Sequence, residues 1–127
     1  MKRVIVESPF AGDVQVNLLY ARFACYDCLV NHDEAPFASH LLYTQEHILK
    51  DEVAKERELG INAGFEWREV AETTIFYIDL GMSRGMHLGK EHCQDNHESW
   101  ISRRLPNPLW IEFQQACVFK NLTIPHR

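Results

Sequence analysis

The sequence predicts an α/β fold of the Rossmann or flavodoxin type, a three-layer sandwich around a central parallel sheet of four to five strands. Segments rich in β-branched residues alternate with amphipathic helical segments, and this βαβαβαβα order favours parallel strands with right-handed crossovers. An unbroken apolar run that ends at Asp79 is typical of a strand buried on both faces. At 127 residues, the chain is predicted to form one domain over positions 1–127.

The first strand and the first helix are predicted within positions 3–31. Arg3–Ser8 has the composition of a short strand, and the loop Pro9–Gly12 ends it. Asp13 is the expected N-cap of a helix with a wide apolar face, and Asn31 is a suitable C-terminal stop.

A second strand and a long helix are predicted next. Ala35–His40 is predicted to be an edge strand, because Pro36 cannot donate a hydrogen bond to a neighbouring strand. Asp51–Glu72 is predicted to be a helix, in which Gly60 and Gly64 indicate close packing or a kink. Its broad apolar side comprises Val53, Leu59, Ile61, Ala63, Phe65, Trp67, Val70 and Ala71, whereas Arg57, Glu58 and Arg68 are expected in solvent.

The second half of the chain repeats the pattern twice. Thr73–Asp79 is the predicted central strand, and a helix is expected from Arg84 to about position 94. Ser99–Ser102 is the predicted fourth strand. The final helix is predicted to start with Asn107 as its N-cap and Pro108 in its first turn.

Composition excludes several kinds of partner. The net charge is −5 and the isoelectric point is near 5.8, so no general basic surface is expected to bind nucleic acid or an anionic membrane. The apolar runs are far shorter than the roughly 20 residues of a membrane span, and the N-terminal residues enter a strand pattern directly. We therefore expect a cytoplasmic protein without a signal peptide and without a cofactor.

The four cysteines are predicted to be free thiols, since their spacing is irregular and the sequence pattern is intracellular. Cys25 and Cys28 match Cys-x-x-Cys, and Cys93, His92 and His97 would complete a zinc set. Cys25 and Cys28 fall within an amphipathic helix, however, where small buried cysteines are ordinary core residues. The favoured interpretation is that the chain holds no metal.

A candidate anion site follows the third predicted strand. A strand, a glycine-bearing loop and a helix start would direct unpaired N–H groups and a positive dipole end toward one point. The predicted ligand or phosphate site there is Ser83, Arg84, Gly85 and Met86. The alternative is that Gly81 and Gly85 serve only the turn and Ser83 only the helix cap.

Ligands of open parallel sheets bind beyond the carboxyl ends of the strands, where neighbouring connections leave on opposite faces. With the first and third strands adjacent, we expect their two loops to meet there. The further ligand-binding candidates are Ser8, Phe10, Gly12 and Asp13, and the catalytic candidates are Glu7, Asp79, His87 and His40. Glu7 and Asp79 have the alternative role of solvated strand-end charges, and His87 that of an exposed helix residue.

Two of these motifs resemble the nucleoside 2-deoxyribosyltransferase superfamily. Val4–Gly12 is similar to its first strand and loop, and Gly85–Gly89 to its Gly-x-Glu-Leu-Gly helix start. The run from Val4 to about Glu91 is more similar still to a family of small phage and bacterial proteins placed in that superfamily. Residues after about position 97 form a divergent C-terminal strand and helix.

The resemblance implies cleavage or exchange of N-glycosidic bonds, with a glutamate nucleophile, a helper tyrosine and a helper aspartate. By position these fall on His87, Phe10 and on or near Gly64, so all three are replaced. An imidazole cannot form the glycosyl ester by which a carboxylate divides this reaction into two steps. Ser83–Met86 keep the pattern of the 5′-phosphate site.

We therefore expect binding of a nucleotide or a ribose-phosphate-containing molecule without deoxyribosyl transfer, in the role of sequestering a nucleotide signal in phage–host conflict. The alternative is a nucleotide N-glycosidase or related hydrolase with substituted catalytic residues. A third hypothesis is a protein-interaction module. The resemblance implies a homodimer or larger assembly, for which Trp100, Trp110, Phe113 and Phe119 are candidate interface residues.

Overall fold

The structure, a computed structural model, describes residues 1–127 and has one four-stranded sheet flanked by five helices. The elements are β1 (Lys2–Glu7), α1 (Val14–Asn31), β2 (Glu34–Phe37), α2 (Ser39–Leu42), α3 (Ala54–Arg68), β3 (Thr73–Tyr77), α4 (Arg84–Asp95), β4 (Trp100–Arg103) and α5 (Asn107–Phe119). All neighbouring strands pair in parallel, in the order β2-β1-β3-β4. The predicted fold class is confirmed. None of the helices is both long and apolar enough to cross a membrane.

Alternation along the central strand divides the core between the two faces of the sheet. Ile75 and Tyr77 belong to the larger cluster, which α1 and α5 cover. Phe76 faces the other way and packs with Met86 and Cys93 of α4. Because both faces are covered, β3 carries the continuous apolar run from which a buried strand was predicted.

The edge position predicted for the second strand is confirmed. β2 pairs only with β1, where Pro36 lies opposite Val4, and an edge strand is the place in a sheet where proline is tolerated. The strand is shorter than expected, because Ser39 and His40 begin the short helix α2.

The first strand-to-helix turn forms as the sequence predicts. The carboxylate of Asp13 caps α1 by accepting a hydrogen bond from the backbone N–H of Val16 at 3.3 Å. Gly12 precedes it with φ of +100°, a conformation that L side chains rarely adopt.

The prediction of which side of α3 is buried is wrong. Leu59, Trp67 and Val70 are 59%, 47% and 50% exposed, whereas Arg68, expected in solvent, is only 4% exposed. The helix lies against the sheet through Gly64 and Arg68, its two buried residues, so its apolar side faces largely outward.

Close packing at the α3 glycines is confirmed. A Cβ atom on Gly64 would lie 3.1 Å from the hydroxyl of Ser39, and one on Gly60 would lie 3.2 Å from a methyl carbon of Leu49. The glycines therefore allow the segment that contains α2 to approach α3 at backbone distance.

The aromatic residues of the C-terminal region belong mainly to the core, which corrects the predicted interface role of two of them. Trp110 and Phe113 are buried, and the ring centroid of Phe113 lies 5.4 Å from that of Tyr20 on α1. Phe119 is 89% exposed. The predicted cap is also displaced by one residue, because Pro106 is the N-cap of α5 and Asn107 is its first helical residue.

The cysteines do not assemble the zinc set considered above. Cys25 and Cys28 lie on α1, and Cys93 lies across the sheet on α4. All four cysteines are free, and no three or more His, Cys, Asp or Glu residues are grouped so as to hold a metal ion. Burial raises the pKa of Cys25 to about 11 and that of Cys28 to about 12, which is the behaviour of core thiols.

Asp79 is a structural residue that joins four parts of the chain. Its carboxylate accepts hydrogen bonds from the Tyr20 hydroxyl at 2.6 Å and the Leu105 backbone N–H at 2.9 Å, and it pairs with Arg127 at 2.5 Å. Burial raises the pKa of Tyr20, so its hydroxyl stays protonated and donates. The site role expected for Asp79 is corrected, because its oxygens are already occupied within the protein.

We expect Asp79→Ala to lower the free energy of unfolding by about 3 kcal/mol, since it leaves buried donors without an acceptor. Urea denaturation measures this change. Asp95→Ala, at an exposed position on α4, is the matched control and is expected to shift the same quantity by about 0.5 kcal/mol or less. Equal losses in the two variants would contradict the assigned role.

Candidate functional site

A cavity of about 190 Å³ lies at the carboxyl end of β1, between α3 and the start of α4. Four chain segments meet around it: the loop after β1, the region of α2, the inner side of α3 and the first turn of α4. The convergence of the first and third loops follows from the adjacency of β1 and β3. Eight predicted site residues line the cavity: Glu7, Ser8, Phe10, His40, Ser83, Arg84, Gly85 and Met86.

Four predicted site residues do not line this cavity. Gly12 and Asp13 form the turn and cap of α1, and both are exposed. His87 is exposed on α4 and lies outside the lining, although its neighbours on both sides belong to it. Asp79 is held by the buried contacts described above.

The first turn of α4 presents two free backbone donors. The Ser83 hydroxyl accepts a hydrogen bond from the Met86 N–H at 3.2 Å, and the Ser83 N–H approaches the Met86 sulfur at 3.5 Å. The His87 N–H already bonds to the Ser83 carbonyl at 3.0 Å. The N–H groups of Arg84 and Gly85 have no acceptor in the protein. They are therefore available to an anion at the positive end of the helix dipole.

Three arginines line the cavity, and two of them are paired. Arg68 lies 2.6 Å from a carboxylate oxygen of Glu7, and Arg57 lies 3.7 Å from one of Asp51. Arg84 makes no ion pair and is exposed. Of the three arginines in the lining, Arg84 is therefore the one without a carboxylate partner.

Ser8 and His40 are hydrogen-bonded to each other at the cavity wall. The Ser8 hydroxyl oxygen and Nε2 of His40 are 2.7 Å apart. Burial lowers the pKa of His40 from its ordinary 6.5 to about 4, so the ring is neutral at pH 7. A neutral imidazole can accept the hydroxyl proton through Nε2 when its own proton is on Nδ1.

Glu7 and Arg68 form the floor of the cavity. Burial raises the pKa of Glu7 above its ordinary value, and the neighbouring Arg68 guanidinium opposes that rise. Arg68 also donates to the Gly89 carbonyl oxygen and to the Cys93 sulfur, each at 3.0 Å. One guanidinium thus joins the end of β1 to α3 and α4.

Sequence reasoning missed Arg68, although one signal for it was present. A Cβ atom on Gly89 would lie 2.7 Å from a terminal nitrogen of Arg68, so the glycine provides the space that the guanidinium occupies. Gly89 on α4 therefore marks a close approach by another side chain.

The three positions on which the sequence resemblance places catalytic groups have different surroundings. Phe10 lines the cavity and His87 does not. A Cβ atom on Gly64 would lie 3.1 Å from the Ser39 hydroxyl, so a side chain there would require Ser39 to move.

The fold and this cavity define a parallel α/β domain with a ligand-sized crevice at the carboxyl ends of its strands. The chain belongs to the family described as a domain of unknown function, DUF7768, whose model matches residues 2–102. The match includes every residue that lines the cavity and excludes α5 and the residues after it. Comparisons with curated proteins and with solved structures each gave no match.

We expect Gly89→Ala to lower the free energy of unfolding by about 2 kcal/mol, because the added methyl group overlaps the Arg68 side chain, which its hydrogen bonds hold in place. Thermal and urea denaturation measure the effect. Gly85→Ala is the matched control, since a Cβ there meets nothing closer than 3.9 Å and alanine raises helix propensity. A Gly89→Ala variant as stable as Gly85→Ala would contradict the proposed role of Gly89.

The lowered pKa of the half-buried His40 predicts a specific pH dependence of stability. The unfolded chain protonates this ring near pH 6.5, whereas the folded chain keeps it neutral down to about pH 4. The free energy of unfolding should therefore fall as the pH is lowered through that window. His40→Gln should flatten this slope in urea titrations between pH 4 and 7, whereas His87→Gln, at an exposed position, should leave it unchanged. Identical slopes in His40→Gln and the parent protein would exclude this origin.

Proposed function

We propose that the protein binds a nucleotide or another small molecule with a ribose phosphate, and that the phosphate occupies the first turn of α4. The observation that carries this proposal is the pair of free N–H groups at Arg84 and Gly85, beside the unpaired guanidinium of Arg84. Backbone donors at a helix N-terminus together with an arginine form a common arrangement for phosphate oxygens.

The rest of the cavity suits a sugar and a base. Ser8 and His40 supply polar groups in the same cavity lining, and Phe10, Phe65 and Ile61 supply apolar surface. Small-molecule sites usually combine a few placed polar groups with an apolar lining of this kind.

Binding without deoxyribosyl transfer is the favoured form of this proposal. In the resembled superfamily the nucleophile is a glutamate, and the corresponding residue here, His87, lies outside the cavity. Glu7 is a carboxylate that lines the cavity, but Arg68 holds it at 2.6 Å. A cytoplasmic protein of this type would sequester a nucleotide signal, including one produced in phage–host conflict. The proposal includes a homodimer or larger assembly, for which the exposed apolar side of α3 offers surface.

The alternative is a nucleotide N-glycosidase or related hydrolase in which Glu7 or His40 has a new catalytic role. One observation favours it: Glu7 places a carboxyl group in the cavity lining, and burial shifts its pKa upward, the direction in which general acids are tuned.

Calorimetric titration with AMP and with ribose 5-phosphate tests the binding proposal. We expect Arg84→Ala to weaken binding about tenfold, since it removes one charge-assisted contact. Arg84→Pro should weaken it about tenfold further, because proline also removes the backbone N–H. Proline fits this first helical position, since Ser83 before it is extended, with φ of −75° and ψ of 168°.

Arg22→Ala, which removes an exposed arginine of α1, is the matched control and should leave binding unchanged. Equal affinities for the parent protein and Arg84→Pro would contradict the assigned phosphate position. Chromatography of the same samples separates the two functions: free base that disappears in Glu7→Gln would favour the N-glycosidase.

A further inference from the structure

The Ser8–His40 pair has a geometry that ligand binding alone does not require. The two residues are 32 positions apart in sequence, and the hydroxyl oxygen of Ser8 still lies 2.7 Å from Nε2 of His40. This separation lies within the range of about 2.6–3.2 Å for a nucleophile and its general base. Both side chains line the cavity that holds the free donors of α4.

We infer that Ser8 is a nucleophile activated by His40, and that the site transfers the phosphoryl group of a small phosphate monoester to water. The inference rests on the proposed function in one respect, namely that the phosphate lies at the first turn of α4. The phosphoryl class follows from the charges, because Arg84 and the two free N–H groups match an anionic group with several oxygens.

The reaction proceeds in two steps. In the first, the Ser8 oxygen attacks phosphorus, its proton passes to Nε2 of His40, and the bond from phosphorus to the ester oxygen breaks. The departing alkoxide takes that proton and leaves as an alcohol. In the second, water attacks the phosphoserine, His40 takes a proton from the water, and the Ser8 oxygen recovers it as inorganic phosphate leaves. The net change is ester plus water to alcohol plus phosphate.

The surroundings of the pair fit these roles. Ser8 is 5% exposed, so a reactant reaches its hydroxyl only through the cavity. Burial keeps His40 neutral at pH 7, with a pKa of about 4, so Nε2 is free to accept a proton. Such a weak base predicts slow turnover, because proton-transfer catalysis is most efficient when the pKa lies near the working pH.

Covalent labelling tests the nucleophile directly. Diisopropyl fluorophosphate reacts with an activated serine, whose oxygen bonds to phosphorus as fluoride leaves with the serine proton. We expect peptide mass spectrometry to find the label on Ser8 in the parent protein and not in Ser8→Ala. His40→Gln should react about 100-fold more slowly. Ser102→Ala, at an exposed position on β4, is the matched control and should label at the parent rate.

Hydrolysis of p-nitrophenyl phosphate and AMP completes the test, with release of inorganic phosphate as the readout. We expect activity in the parent protein, with its loss in Ser8→Ala and a decrease of about 100-fold in His40→Gln. Circular dichroism and thermal denaturation establish that each variant is folded.

The outcomes separate this inference from the binding proposal. An unlabelled Ser8 and no phosphate release, with AMP still bound in calorimetry, would overturn the nucleophile and leave the binding proposal intact. Phosphate release at equal rates in the parent protein and Ser8→Ala would also overturn it. Labelling of Ser8 without any affinity for AMP or ribose 5-phosphate would support the activated serine and contradict the binding proposal.

Discussion

The buried guanidinium of Arg68 is the group on which the geometry of the cavity depends. A charge removed from water is stable only when its partners are well placed, and Arg68 has three of them on two other elements. Glu7 fixes it to the end of β1, and the carbonyl of Gly89 and the sulfur of Cys93 fix it to α4. Since Arg68 belongs to α3, this one side chain joins α3 to β1 and α4, and the region of α2 completes the cavity lining.

The carboxyl edge of the sheet is thereby divided into an open part and a closed part. Beside β1, the floor of Arg68 and Glu7 lies under a cavity with free donors at the start of α4. Beyond β3, Asp79 is saturated by Tyr20, Leu105 and Arg127, and the C-terminal residues cover that end. An open parallel sheet offers its crevice along this edge, and here internal contacts occupy the part near the C-terminus.

The DUF7768 match, residues 2–102, includes all four cavity-lining segments. It ends before Leu105 and Arg127, two of the residues that bind Asp79 at the other part of the edge. Within the matched residues, His87, Phe10 and Gly64 carry an imidazole, a phenyl ring and no side chain, whereas the first turn of α4 presents two free N–H donors. The hydrogen-bonded pair of Ser8 and His40 lies in the lining of the same cavity.

Local sequence patterns were sufficient to predict the strands and the main helices, and they also predicted much of the candidate site. Period and composition located four strands and the helices between them, Asp13 and Ser83 marked two helix starts, and the adjacency of two parallel strands brought Ser8 and the Ser83–Met86 turn to one cavity. These features follow from backbone hydrogen bonding and sheet topology, which are encoded within short stretches of sequence. Tertiary structure alone decided which side of α3 is buried, which carboxylate remains at the cavity, and which arginine is free. The reason is that the burial and pairing of a charged side chain depend on partners that are distant in sequence. The partners of Arg68, Glu7 and Asp79 lie 21 to 61 positions away.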